Sequence, residues 1–129
     1  MQKPIADAVD DIKRAFPELR VTAEALTDGH VWVILHSVGV GSGWNRSEID
    51  LRVKLQPTFP ETEPYPFFTA AGLARTQGGQ FGPIQPATQI DGESRTQISL
   101  KKNGQTKLLP GEDLGMRFQA VIRWLRSPC

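Results

Sequence analysis

Four stretches of this sequence carry patterns that predict β-strands. The clearest is residues 48–55, where apolar and charged side chains alternate strictly, as expected for a strand with one face buried and one in water. Residues 20–26 alternate more loosely, residues 30–38 are rich in Val, Ile and Trp, and residues 67–71 form a short apolar run. The pattern predicts a four-stranded antiparallel meander sheet.

Two helices are predicted to flank these strands. Residues 3–19 place apolar side chains at helical spacing with charged residues between them, and Pro17 is expected to end the regular part. Residues 108–113 lead into a second helix and put acidic side chains near its positive end. Its apolar stripe consists of Leu114, Phe118, Val121, Ile122 and Leu125. The fold class is therefore α+β.

The connections differ in character. Residues 27–29 (Thr-Asp-Gly) predict a hairpin turn, whereas the glycine-rich residues 39–43 predict a flexible loop. That loop lacks the Lys-Ser/Thr that follows a phosphate-binding loop, so nucleotide binding is not expected. Residues 56–68 hold four prolines and four aromatic residues, which fit neither a helix nor a sheet interior. They predict an ordered crossing anchored by its aromatic side chains.

A long loop is predicted over residues 76–93, which contain four glycines and two prolines. Irregular segments longer than about 12–15 residues are usually functional or disordered. This loop leads into residues 95–104, a short apolar-anchored segment with Ser99 at its centre. Ser99 is therefore the main candidate for a functional side chain.

Length and charge narrow the functional classes. A chain of 129 residues fits a single domain over residues 1–129. No apolar run approaches the roughly 18 residues of a membrane span, and no secretory signal is evident, so we expect a cytoplasmic protein without a membrane partner. The net charge of +1 argues against nucleic acid as the main partner.

Neither a metal site nor a cofactor is expected. His30 and His36 are the only histidines and lie six residues apart on a strand-like run, too far apart to chelate one ion. Cys129 is the only cysteine and ends the chain after Pro128. No surrounding loop would hold its thiol in a reactive geometry, which argues against Cys129 as a nucleophile.

The order of these features resembles the ubiquitin-conjugating enzyme superfamily, which includes the RWD domains. Members combine an N-terminal helix, a four-stranded meander, a Tyr-Pro-Phe crossing after the third strand, and a long loop ending in an Ile-Cys-Leu nucleophile segment. Here residues 48–55 precede Phe59-Pro60 and Tyr65-Pro66-Phe67, and Ile98-Ser99-Leu100 matches the nucleophile segment. The resemblance covers most of the chain.

The departures from that family are specific. Ser99 stands at the position of the catalytic cysteine, and the family's His-Pro-Asn is missing, since its spacing falls on residues 89–91 and the nearest X-Pro pair is Gln85-Pro86. Only one long C-terminal helix is predicted. Such divergence is similar to that of bacterial relatives encoded with an activating enzyme and a ubiquitin-like protein in antiphage defence operons.

The resemblance implies acyl transfer. The chain would accept a ubiquitin-like protein from an activating enzyme as an oxyester on Ser99 and pass it to an amine of a target protein. Serine needs a general base that a cysteine thiolate does not. Asp91 is the first choice because its spacing resembles that of the family's active-site asparagine, with Glu93 and His36 as further candidates. Donors to an oxyanion would be backbone N–H groups or the side chains of Lys101, Lys102 and Asn103.

Other interpretations stay open at this stage. The chain is alternatively an inactive conjugating-enzyme variant or RWD-like module that binds a ubiquitin-like protein or a partner enzyme. Ser99 is alternatively a replacement for a natural cysteine, which would form a thioester. Asp91 beside Gly92 is alternatively a turn carboxylate. A serine hydrolase is disfavoured because no Gly-x-Ser-x-Gly elbow surrounds Ser99.

Overall fold

The computed structural model describes residues 2–78, 83–100 and 111–127. Along the chain, six strands lie between two helices. The elements are α1 (Lys3–Ala15), β1 (Val21–Ala25), β2 (Val31–Gly39), β3 (Glu48–Leu55), β4 (Phe67–Ala70), β5 (Ile84–Ile90), β6 (Glu93–Ile98) and α2 (Leu114–Arg126). The α+β class is confirmed, with one helix at each end of the sequence of strands.

The strands form one antiparallel sheet in the order β1-β2-β3-β4-β6-β5. The first four follow one another as the predicted meander, and the turn at residues 27–29 joins β1 to β2 with Gly29 at a φ of 88°. The predicted count of four strands is wrong, because β5 and β6 add a hairpin beside β4. Residues 95–98, expected to belong to the nucleophile segment, are therefore part of a strand.

The long loop predicted over residues 76–93 is also wrong, since it contains β5. Asp91 and Gly92 join β5 to β6 with φ angles of 52° and 78°, the two positive values that a two-residue hairpin turn of type I′ requires. Strand β5 lies at the sheet edge, which tolerates Pro86 and a register shift between Gln85 and Thr88. Most of its side chains are exposed, so it lacks an apolar pattern.

The main core lies between one face of the sheet and the two helices. Strand β3 contributes its four predicted apolar positions, and all five apolar residues predicted for α2 are buried. Helix α1 ends at Ala15, shortly before Pro17 as expected, and does not continue to residue 19. Phe16 and Leu19 nevertheless pack against the core. The helices approach closely at Gly115, where an added Cβ would lie 2.8 Å from the Asp11 carbonyl oxygen.

A second, smaller core lies on the helix-free face of the sheet. Trp32, Ile34 and Phe68 are buried there, and Leu26 and Ile90 pack against them. The Trp32 and Phe68 rings meet edge to face, with centroids 5.7 Å apart and planes at 82°. Ile90 adjoins the β5–β6 turn, so the tip of this hairpin covers part of the helix-free face.

Candidate functional site

The backbone of Ser99 is fixed at the open end of the β5–β6 hairpin. Ser99 follows the last residue of β6, and its N–H donates to the Pro83 carbonyl oxygen at 2.8 Å. Ile98 before it is fully buried and pairs with Phe67 of β4, while Leu100 after it packs partly buried against the main core. Two apolar anchors therefore hold Ser99 in place.

The Ser99 hydroxyl contacts Gln97, a residue that the sequence did not single out. The Gln97 side-chain amide donates from Nε2 to Ser99 Oγ at 2.9 Å. Side chains two apart in an extended chain lie on the same side, and Gln97 pairs with Phe68, so both lie on the helix-free face. An amide nitrogen cannot accept the serine proton. It can orient the hydroxyl oxygen and stabilise negative charge that develops on it.

Asp91 lies at the other end of the hairpin from Ser99. Gly92 and the six residues of β6 separate the two, and the strand alone spans about 20 Å at about 3.3 Å per residue. The structure therefore does not bring Asp91 within reach of the Ser99 proton. Asp91 was expected to serve Ser99 as a base because its spacing resembles that of the family's asparagine, and the structure does not place the two side chains together.

Asp91 instead connects the β5–β6 turn to strands β2 and β3 through hydrogen bonds. Its carboxylate accepts one hydrogen bond from Trp32 Nε1 and another from Lys54 Nζ, each at 3.0 Å. The Lys54 hydrogen bond is the largest influence that lowers the pKa of Asp91, and the Trp32 bond adds to it. The turn-carboxylate interpretation thus fits the geometry.

The other two candidate bases also have partners elsewhere. Glu93 accepts from Arg95 Nη2 at 2.7 Å beside the turn. His36 on β2 lies between Thr22 Oγ1, 2.7 Å from Nε2, and an Asp50 carboxylate oxygen, 3.4 Å from Nδ1. Over the described ranges, the Gln97 amide is the one side-chain hydrogen-bond partner of Ser99 Oγ. The proposed oxyanion donors Lys101, Lys102 and Asn103 lie outside the described residues, as does Cys129.

The arrangement supplies an oriented oxygen nucleophile and one hydrogen-bond donor. Within residues 2–78, 83–100 and 111–127, His, Cys, Asp and Glu form no group of three or more that could hold a metal ion. In the same ranges, neither helix is long and apolar enough to cross a bilayer. Ser99 itself contributes a hydroxyl that accepts a hydrogen bond from the Gln97 amide.

Comparison with models of protein families gives a match. The sequence model described as prokaryotic E2 family E matches residues 9–126, which is most of the chain. Neither the curated proteins nor the solved structures include a match. E2 proteins are conjugating enzymes, which in general interact with a ubiquitin-like protein and an activating enzyme. The match covers the second half of α1, the whole sheet and α2, and the chain therefore belongs to prokaryotic E2 family E.

Proposed function

We propose that this protein accepts a ubiquitin-like protein as an acyl group on Ser99 and transfers it to an amine of a target protein. The observation that carries the proposal is the placement of Ser99. It lies between the anchored residues Ile98 and Leu100, and Gln97 donates to its hydroxyl, in a chain that belongs to an E2 family. Ordered anchoring of this kind holds a nucleophile in one geometry.

The proposed chemistry has two steps. Ser99 Oγ attacks the carbonyl carbon of the thioester that an activating enzyme carries, so that a C–O bond forms and the C–S bond breaks. The serine proton passes to the departing thiolate. A target amine then attacks the ester, a C–N bond forms, the C–O bond breaks, and a proton returns to Ser99. In both steps the Gln97 N–H group donates a hydrogen bond that stabilises negative charge developing on the Ser99 oxygen.

The partners follow from this chemistry. They are an activating enzyme, the ubiquitin-like protein that it loads, and a target protein with an accessible amine. We further propose that the reaction takes place in the bacterial cytoplasm, in an antiphage conjugation pathway, as the resemblance to bacterial relatives implies. If the natural chain carries cysteine at position 99, the same steps proceed through a thioester.

Adduct formation tests this function. The protein is mixed with ATP and with the activating enzyme and ubiquitin-like protein encoded beside it, and products are separated by mass. We expect an adduct that resists thiol reductant but is cleaved by mild hydroxide, and that Ser99→Ala cannot form. Ser94→Ala, which changes an exposed serine on β6 just before Ser99, is the matched control and should form the adduct normally. No adduct from the wild-type chain would refute acyl transfer.

A second candidate is a non-catalytic module that binds a ubiquitin-like protein. The favouring observation is that no carboxylate or imidazole in the described ranges contacts Ser99 Oγ. No side chain in those ranges is therefore placed to take the hydroxyl proton before the thiolate leaves. Calorimetry without ATP or activating enzyme tests this role. Binding that is saturable and equal for the wild-type chain and Ser99→Ala, together with no adduct, would favour the module.

A further inference from the structure

A pocket lies at the end of the sheet opposite Ser99. It opens where β2 ends and where the chain leaves β4, against the last turn of α2, and has a volume of about 420 Å³. Ser99 is instead near the first residue of β4, because its neighbour Ile98 pairs with Phe67. The pocket is thus separate from the proposed acyl-transfer site.

The walls of this pocket are tied together by the backbone. Residues 41–43 form one wall and residues 75–78 another. Thr76 N–H donates to the Gly43 carbonyl oxygen at 3.0 Å, and Trp44 and Arg75 form an isolated β-bridge. These links fix the distance between the two loops, so the pocket is formed before any ligand arrives.

Arg75 is held rigidly beside the pocket. It is only 9% exposed, its guanidinium lies 4.0 Å from the centre of the Trp44 ring, and Nη2 donates to the Ser127 carbonyl oxygen at 3.3 Å. Gly43 allows this approach, because an added Cβ there would lie 2.7 Å from Arg75 Nη1. A guanidinium stacked on an aromatic ring keeps its planar fork oriented for an anion.

A second guanidinium, that of Arg126, lines the same pocket. Arg126, in the last turn of α2, donates from Nε to the Gly39 carbonyl oxygen at 2.9 Å, which holds its guanidinium at the pocket. The end of a helix carries about half a negative charge, whereas two arginines carry two positive charges. Among the described lining residues, none is acidic. The described lining residues therefore carry a net positive charge, even after the partial negative charge of the helix end is counted.

We propose that this pocket binds an oxyanion, either a carboxylate or a phosphate group of a small ligand. Both groups present paired oxygens that match the fork of a guanidinium. Ser42 and Gln77 line the same pocket and add polar side chains that can hydrogen-bond such a ligand. The volume suits a small organic acid or phosphate ester.

Titration of the whole chain tests the proposal, with inorganic phosphate and succinate as separate probes. Backbone amide signals are followed by NMR at constant ionic strength, because salt screens such contacts. We expect saturable shifts confined to residues 41–43, 75–78 and 126–127. Stronger binding of phosphate would identify a phosphoryl ligand, and stronger binding of succinate a carboxylate ligand. No saturable shift with either probe would overturn the proposal.

Variants separate specific binding from surface attraction. Ser42→Asp adds a negative charge at the pocket rim, which repels an anionic ligand, and leaves both arginines in the sequence. It should weaken binding by about tenfold or more. Ser94→Asp adds the same charge on exposed β6 and should leave binding unchanged. Arg126→Gln should also weaken it by about tenfold, whereas Ser99→Ala should bind as the wild type does. Equal binding by Ser42→Asp and Ser94→Asp would contradict the site.

Discussion

The two ends of the β5–β6 hairpin hold the two residues that the sequence proposed for catalysis, and they differ in how they are fixed. At the turn, the exposed Asp91 carboxylate is held by hydrogen bonds from Trp32 and Lys54. At the open end, the backbone of Ser99 is held by a main-chain hydrogen bond and by buried neighbours. The contrast teaches that a carboxylate at a suitable sequence spacing becomes unavailable to a nucleophile once a strand separates them.

The largest effect is expected from Ser99→Cys at the open end. A thiolate does not depend on a general base, and such a base is worth about 10²–10⁴-fold in rate. The adduct should therefore form at least about 10²-fold faster and become sensitive to thiol reductant. Single-turnover adduct formation measures this, with Ser94→Cys as the control for an added thiol. An unchanged rate would mean that position 99 does not receive the acyl group.

The open end of the hairpin is also expected to contribute more to the stability of the fold than the turn does. Ile98 is fully buried at the open end, so Ile98→Ala should lower the free energy of unfolding by about 2–5 kcal/mol. Ile90 beside the turn is only partly buried, so Ile90→Ala should lower it by about 1 kcal/mol. Urea unfolding measures both. Equal losses would show that the turn is as firmly packed as the open end.

A smaller effect on activity is expected from Gln97→Ala, which removes the donor to Ser99 Oγ. One hydrogen bond between neutral groups contributes about 0.5–1.5 kcal/mol, so adduct formation should slow by about two- to tenfold. Gln85→Ala changes the cross-strand partner of Gln97 and serves as the control. If both variants slow the reaction equally, Gln97 acts through the hairpin and not through the Ser99 hydroxyl.

The smallest effect is expected from Asp91→Asn at the turn. Asparagine tolerates the positive φ, so the variant removes the charge and keeps the turn. We expect a loss of at most about 1 kcal/mol at neutral pH, because the ion pair is partly exposed.

The pH dependence of this loss has a definite sign. The pKa of Asp91 is lower in the folded chain, so its charge stabilises the fold above the unfolded pKa of about 3.9. That contribution disappears as the pH falls through the folded pKa. Thermal unfolding of both chains should therefore converge below about pH 4. A difference that persists at pH 2 would show that the carboxylate charge is not the cause.

Much of the fold could be predicted from the sequence because burial imposes a period. Strand β3 has one buried face, so its residues alternate, and α2 has one buried stripe. Strand β5 has neither, since it is an edge strand that contains Pro86. Its one local signal was the Asp91-Gly92 pair, a sequence that favours a two-residue hairpin turn.

The candidate site was less predictable. Ser99 was singled out by its apolar neighbours and by a family resemblance, and both neighbours pack as expected. The contact from Gln97 could be recognised only after residues 93–98 were known to be a strand, because only then do positions 97 and 99 share a side. The Arg75–Trp44 contact joins residues 31 positions apart, and no local pattern indicates it.

Mapping the acyl linkage tests the central claim most directly. The adduct formed with ATP, the activating enzyme and the ubiquitin-like protein is digested without reductant, and the joined peptides are identified by mass spectrometry. The account predicts an ester between the C-terminal carboxyl group of the ubiquitin-like protein and Ser99, lost after mild hydroxide. A linkage to a lysine or to Cys129, or an adduct that survives in Ser99→Ala, would contradict it.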